Sequence, residues 1–240
     1  MKTKRFSLCA GAALLGLYCL SAQAVDINLF EYSLNVDGAF STTVYEYATL
    51  DPAPAGVDDS LFDYVTGLGD ITVTVGGTGS HNIDFLLDIE IDNATNFKYN
   101  EFGSVTGSAA SGQSWEIDEP GYFFGDIYDN VLDSTLDNSN ALPEGSGIFS
   151  SDVSMALGWD FSLSDGETAI ISLSISDVLA DLVTQDFYLS QTDPLSDLTL
   201  YMASTLEIRG SGTQVPEPAT LFLIGAGLAG LLVRRRVEKA

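Results

Sequence analysis

The sequence predicts an all-β fold, an antiparallel two-sheet sandwich of the jelly-roll or immunoglobulin-like type. Three observations favour this class. Apolar and polar residues alternate over several segments, Gly-rich or Asp-Gly turns separate these segments, and no stretch of residues 25–209 shows a long helical period. We therefore predict one β-sandwich domain over residues 25–209 and a flexible linker over residues 210–215.

The first predicted element of this domain is a hairpin. Its outgoing strand places four apolar residues on one face: Phe30, Tyr32, Leu34 and Val36. The strand leads into Asp37-Gly38, a dipeptide typical of two-residue hairpin turns. Residues 40–48 form the predicted return strand.

A second hairpin is predicted around the Gly-rich turn at residues 76–80. The strand before the turn alternates Ile71, Val73 and Val75 with threonines. The strand after it has an apolar face made of five residues: Ile83, Phe85, Leu87, Ile89 and Ile91. Its opposite face carries four acids and one apolar side chain: Asp84, Asp88, Glu90, Asp92 and Leu86. We predict that this acidic face is exposed to water, as is common in antiparallel sheets.

The rest of the domain follows the same pattern. A third hairpin is predicted from residues 153–163 and 169–175, joined by the turn Asp165-Gly166, and a last strand covers residues 198–209. One or two helical turns are expected at residues 178–183. Residues 93–151 are rich in Gly, Ser, Asn and Asp and predict long loops, with short strands at residues 114–117 and 121–124.

Residues 1–24 have the pattern of a secretory signal peptide. Basic residues precede an apolar run over residues 6–20, and Ala22-Gln23-Ala24 provides a small-residue cleavage site. Signal peptidase and the export translocon are therefore expected partners, with cleavage after Ala24. Cleavage removes Cys9 and Cys19, the only cysteines of the chain, which excludes disulfides and thiol chemistry in the mature protein.

The domain is strongly acidic once both ends are set aside. Residues 25–215 contain 32 acidic residues but only Lys98 and Arg209 as basic ones, so their formal charge is −30. This charge repels nucleic acid and anionic membrane surfaces, which we exclude as partners. Cations are the natural counter-ions of such a domain. The acidic surface can also serve only to keep an exported protein soluble.

The sequence contains no motif of a known catalytic site. Its single histidine, His81, lies in a Gly-rich turn without a Gly-x-Ser-x-Gly motif, and one histidine without cysteine does not make the usual zinc site. We assign no catalytic and no cofactor-binding residue and predict a non-enzymatic protein. The alternative is a secreted carbohydrate-binding module or glycoside-active protein that uses loop carboxylates and aromatics. Asp118 and Glu119, close to Trp115 and Tyr122, are its candidates.

Calcium is the one cofactor that the sequence leaves open. Hard cations bind clustered carboxylates, and the densest loop-like run of acids offers four weak candidates for metal ligands: Asp126, Asp129, Asp133 and Asp137. Asp88, Glu90 and Asp92 also share one face of a strand, but neither run of acids has the spacing of an EF-hand calcium loop.

Residues 216–240 have the pattern of a membrane-sorting segment. Fifteen uncharged, mostly apolar residues from Ala219 to Val233 would form a helix of about 22 Å, shorter than a hydrocarbon core of about 30 Å. Arg234, Arg235 and Arg236 then form a cytoplasmic stop by the positive-inside rule. The pattern predicts one short transmembrane helix and a temporary anchor in the inner membrane.

Pro216, Glu217 and Pro218, followed by the apolar run and the arginines, resemble the PEP-CTERM sorting signal of Gram-negative envelope proteins. The resemblance covers about a tenth of the chain. It implies sorting and processing by exosortase, a membrane protease-transferase. It also implies a destination at the cell surface or in the extracellular matrix, with exopolysaccharide of the biofilm as a candidate partner.

Overall fold

The computed structural model describes residues 26–44, 49–50, 53–91, 100–121, 123–145, 152–182 and 185–210. The predicted signal peptide, most of the predicted linker and the predicted transmembrane helix lie outside these residues. Within the described part of the chain, no helix has the length and apolar character needed to cross a membrane.

The described residues form two six-stranded sheets. Sheet A contains six strands in the spatial order β3 (Thr49–Leu50), β2 (Ala39–Val44), β1 (Ile27–Val36), β6 (Gly79–Ile91), β9 (Ser154–Leu163) and β8 (Gln113–Asp118). Sheet B contains β4 (Val57–Phe62), β5 (Gly69–Gly76), β10 (Thr168–Ser176), β12 (Leu198–Arg209), β11 (Tyr188–Asp193) and β7 (Phe102–Thr106). Neighbouring strands are antiparallel in both sheets, which confirms the predicted all-β class.

The main core lies where the inward faces of the sheets meet. Sheet A contributes alternate residues of β6, such as Phe85 and Leu87, and sheet B contributes Ile71 and Val73 of β5 and Leu173 of β10. All of these side chains are buried, and the apolar alternation of the sequence predicted them.

The first predicted hairpin is confirmed. β1 and β2 pair from Glu31 opposite Val44 to Val36 opposite Ala39. Asp37 and Gly38 have φ values of 52° and 80°, the left-handed conformation that a tight type I′ turn requires at both positions.

The second and third predicted hairpins are wrong. β5 pairs with β4 and β10, whereas β6 pairs with β1 and β9, so the Gly-rich turn carries the chain from sheet B to sheet A. The turn at Asp165-Gly166 likewise connects β9 in sheet A with β10 in sheet B. The two strands of each predicted hairpin therefore face each other across the core, where their apolar residues meet. They do not share a ladder of hydrogen bonds.

The predicted loop region forms an additional layer outside sheet A. Helix α1 (Ile127–Asp133) packs Ile127 and Val131 against Leu86 of β6 and Ala156 of β9. The Asn35 side-chain amide donates to the carbonyl groups of Val131 and Leu132, both at 3.0 Å, and so holds the end of the helix on the sheet. The outer face of β6 is therefore buried, and its predicted exposure to water is wrong.

The shorter predicted elements have mixed outcomes. The strand at residues 114–117 lies within β8, and a 3₁₀ helix at Leu179–Leu182 provides the expected helical turn. The strand at residues 121–124 is wrong among its described residues, because Phe123 and Phe124 lie in a bend with exposed side chains.

Candidate functional site

Polar side chains form a row across four neighbouring strands on the outer face of sheet A. Glu31 of β1 lies opposite Asp88 of β6, Asp88 lies opposite Ser154 of β9, and Ser154 lies opposite Asp118 of β8. Directly opposed residues in an antiparallel sheet share a face. The register therefore places three carboxylates and one hydroxyl in a line.

Further acids surround the Asp88 end of this row. Glu90 follows Asp88 on the same face of β6, and Asp152 lies two residues before the start of β9. Glu119 follows β8, and Glu101 precedes β7. We call Glu31, Asp88, Glu90, Glu101, Glu119 and Asp152 the carboxylate cluster.

Most of the carboxylate cluster is buried, and its members influence one another. Asp88 is 1% exposed. Burial is the largest cause that raises the pKa of Asp88 well above its usual range, and the charges of Asp152, Glu90, Glu31 and Glu101 add to it. Burial also raises the pKa of Glu101 to about 8 and that of Glu119 to about 7, with the charge of Asp152 contributing to both.

Hydrogen bonds fix two members of the cluster. Glu31 Oε1 accepts the hydroxyl groups of Ser33 at 2.9 Å and Thr42 at 3.0 Å. Glu101 Oε1 accepts the backbone N–H of Ile91 at 3.2 Å, and Glu101 Oε2 accepts from the side-chain amide of Gln191. Glu31 is therefore held by β1 and β2, and Glu101 by the end of β6 and by β11.

Three buried oxygens, two of the carboxylate cluster and one of the neighbouring Ser154, have no hydrogen-bond partner among the described residues. They are Asp88 Oδ1, Ser154 Oγ and Glu119 Oε1. Asp88 and Ser154 are direct neighbours across β6 and β9, and Ser154 is fully buried. Unpartnered buried oxygens are costly, because folding removes them from water without replacement.

A second acidic group lies under the N-terminal end of α1. Ligand oxygens of Glu116, Asp118 and Asp126 all lie within 4.8 Å of one another. Both oxygens of Glu116 already accept hydrogen bonds: each accepts from the Asn130 amide at 3.1 Å, and Oε2 also accepts the backbone N–H of Asp137. Burial raises the pKa of Glu116 to about 7.

The four predicted metal ligands are not brought together. Asp126 joins Glu116 and Asp118, as described above, while Asp129 and Asp133 are exposed on α1. The Asp137 carboxylate accepts the backbone N–H and the hydroxyl of Ser139 at 2.9 and 3.0 Å. Sequence reasoning placed Asp88 and Glu90 on one face but predicted that this face is exposed, so it missed their burial. The one signal of burial was Leu86, an apolar side chain in the middle of the acidic face.

The residues predicted for the carbohydrate alternative lie in different surroundings. Trp115 packs against Phe187 with ring centroids 6.3 Å apart, and Tyr122 lies outside the described residues. Phe123 and Phe124 are instead exposed, at 93% and 66%. They belong to the same turn as Gly121, which lines a surface cavity of about 320 Å³ together with Glu31, Thr42, Val44, Pro120 and Tyr128.

His81 lies at the opposite end of β6 from the carboxylate cluster. One ring nitrogen of His81 contacts the Asp37 carboxylate at 2.7 Å and the other contacts the carbonyl of Gly77 at 3.0 Å. The hydrogen bond with Asp37 is the main cause that raises the pKa of His81. The histidine thus connects the β1–β2 turn with the turn that leads into β6.

Comparison with known families identifies the segment that follows the sandwich. Residues 214–236 match the family model described as the PEP-CTERM protein-sorting motif. Neither the curated proteins nor the solved structures gave a match. The matched range contains Pro216, Glu217 and Pro218 as well as Arg234, Arg235 and Arg236. The chain therefore carries a PEP-CTERM sorting signal, which implies export and sorting by exosortase.

Proposed function

We propose that this chain is a non-enzymatic cell-surface or extracellular-matrix protein that exosortase processes near Pro216 and that then associates with exopolysaccharide. The sorting motif carries the proposal. β12 ends at Arg209 and the motif match begins at residue 214, so the sandwich is followed almost directly by the sorting signal. In this proposal, signal peptidase and the export translocon deliver the chain, and the inner membrane holds it only until processing.

The charge distribution supports release from the membrane. Seven of the nine basic residues lie in residues 1–24 and 216–240, which processing would remove. The remaining domain has a formal charge of −30, so an anionic membrane surface repels it. Processing thus converts a tethered precursor into a soluble, strongly acidic domain.

Replacing Pro216, Glu217 and Pro218 together by alanine should abolish processing. The full-length form should accumulate in the inner membrane, because the apolar segment and its arginines remain attached. Mass spectrometry and immunoblotting of membrane, surface and medium fractions would measure the change. A Gly212→Ala variant, altered outside the matched range, serves as the control. An exported form that retains residues 234–236 in the unmodified protein would contradict the proposal.

A second candidate function is carbohydrate binding without catalysis. Phe123 and Phe124 favour it, because two adjacent exposed aromatics near a cavity lined by Glu31 and Tyr128 offer apolar faces to a sugar ring. If carbohydrate binding is the function, the domain contacts exopolysaccharide at the bend of residues 121–124.

The Phe123→Ala, Phe124→Ala double variant should bind exopolysaccharide about 10-fold more weakly, because it loses two exposed aromatic contacts. Co-sedimentation of the purified protein with exopolysaccharide from the producing cells would measure this. Leu61→Ala is a matched control, since Leu61 is 73% exposed and lies on β4 of the other sheet. Equal binding by both variants would remove this bend from the proposal, and release of reducing ends would identify a glycosidase instead.

A further inference from the structure

We propose that the carboxylate cluster on the outer face of sheet A binds a calcium ion, with Asp88 Oδ1 and Ser154 Oγ among its ligands. This site is separate from the acids of α1 and its flanks that the sequence suggested. It also goes beyond the proposed surface function, because it assigns a specific cation to one place in the fold.

The first argument is the unbalanced charge of the cluster. The charges of Asp152, Glu90, Glu31 and Glu101 all act on Asp88. The only described lysine or arginine is Arg209, which pairs with Glu207 at the surface at 2.7 Å. Lys98 lies outside the described residues, and its single charge could offset only one carboxylate. His81 is seven residues away along β6, about 23 Å. The described residues thus bring no lysine or arginine to the cluster, and protons or a bound cation must balance the rest of its charge.

The second argument is the pair of unpartnered oxygens. Asp88 Oδ1 and Ser154 Oγ are both fully buried, and the register of β6 and β9 sets their residues side by side. Neither oxygen has a hydrogen-bond partner among the described residues, and the surrounding groups are acidic. A cation would satisfy both oxygens and the charge at once.

The chemistry of the donors selects calcium. The carboxylate cluster and Ser154 offer oxygen ligands alone, without histidine or cysteine, which excludes the usual zinc sites. Calcium accepts six to eight oxygens in irregular geometry, whereas magnesium requires a near-ideal octahedron and keeps several waters. A buried cluster with many carboxylates from several strands fits the larger ion better.

The neighbouring group of Glu116, Asp118 and Asp126 is a weaker candidate for the same ion. Its oxygens are close together, but Glu116 already accepts three hydrogen bonds from Asn130 and Asp137. Asp118 Oδ2 also accepts the backbone N–H of Asp126 at 3.1 Å. Among the residues that the structure describes, no donor satisfies Asp88 Oδ1 in this way.

The test is thermal unfolding of the purified exported protein after treatment with a chelator, followed by addition of calcium chloride at pH 7.5. We expect the midpoint to rise by about 5–10 °C once free calcium exceeds the dissociation constant about 100-fold. Magnesium at the same concentration should give a much smaller shift. An unchanged midpoint at millimolar calcium would overturn the proposal.

Variants locate the ion. Asp88→Asn and, independently, Ser154→Ala should remove or sharply reduce the calcium shift. Asp133→Asn, which changes an exposed acid of α1, should keep it in full. If either of the first two variants folds poorly, calorimetric titration of the other variant with calcium still shows whether calcium binding is lost relative to Asp133→Asn. A full calcium shift in both, combined with its loss in Glu116→Gln, would assign the ion to the neighbouring group and refute this site.

Discussion

In the absence of divalent cations, the protein should unfold at a temperature at least about 10 °C higher at pH 5 than at pH 8. The cause is burial of carboxyl groups, which raises the pKa of Glu101 to about 8, those of Glu116 and Glu119 to about 7 and that of Asp84 to about 6. In the unfolded chain these groups lose their protons near pH 4 to 4.5, their ordinary range.

The direction follows from proton binding. Between about pH 4.5 and pH 8 the folded state holds more protons than the unfolded state, so the free energy of unfolding falls as pH rises. Glu101 alone contributes about 3 kcal/mol between pH 5 and pH 8, and each kcal/mol moves the midpoint of a domain of this size by about 2–4 °C.

Thermal melts at constant ionic strength in the presence of a chelator would check this. Glu101→Gln should flatten the dependence, whereas Glu144→Gln, at an exposed position, should leave it unchanged. A midpoint that stays constant or rises toward pH 8 would contradict the burial of these acids. Added calcium should oppose the loss of stability at high pH, because the ion binds deprotonated carboxylates.

Leu86→Ala and Leu87→Ala should destabilise the protein to a similar extent, by about 2–5 kcal/mol each. The two leucines are adjacent on β6 and point to opposite faces, yet each is 1% exposed. Leu87 lies in the core between the sheets, and Leu86 packs under α1 with Ile127 and Val131. Both substitutions therefore leave a cavity in packed surroundings.

Denaturant unfolding of both variants would measure these free energies, with the exposed Leu61→Ala as a control expected to change them by less than about 0.5 kcal/mol. A small effect of Leu86→Ala beside a large one of Leu87→Ala would mean that the outer face of sheet A is open to water. The additional layer would then be absent from the folded protein in solution.

Period-two alternation predicted the strands but not their partners. Ile71, Val73 and Val75 face the same core as Phe85 and Leu87 whether their strands pair in one sheet or face each other across two. A Gly-rich turn permits both connections. Only the ladders, which join β5 to β10 and β6 to β9, decide between them, and these depend on residues about 70 to 100 positions away in sequence.

The candidate site was hidden for a related reason. Alternation shows that Asp84, Asp88 and Glu90 share a face, but it does not show what covers that face. The cover comes from α1, a helix of seven residues in a region whose composition predicts loops. The sorting motif, in contrast, is readable because its parts follow one another along the chain and need no tertiary partner.

The place where the sandwich joins its sorting segment also determines how the domain bears mechanical load. β12 is an interior strand of sheet B, paired along Leu198–Met202 with β11 and along Tyr201–Arg209 with β10. A pull on the chain after Arg209 acts along β12, perpendicular to the hydrogen bonds of both ladders, and loads them in shear. While it is tethered, the domain is thus held through one of its best-secured strands, and tension would not peel it open from an edge.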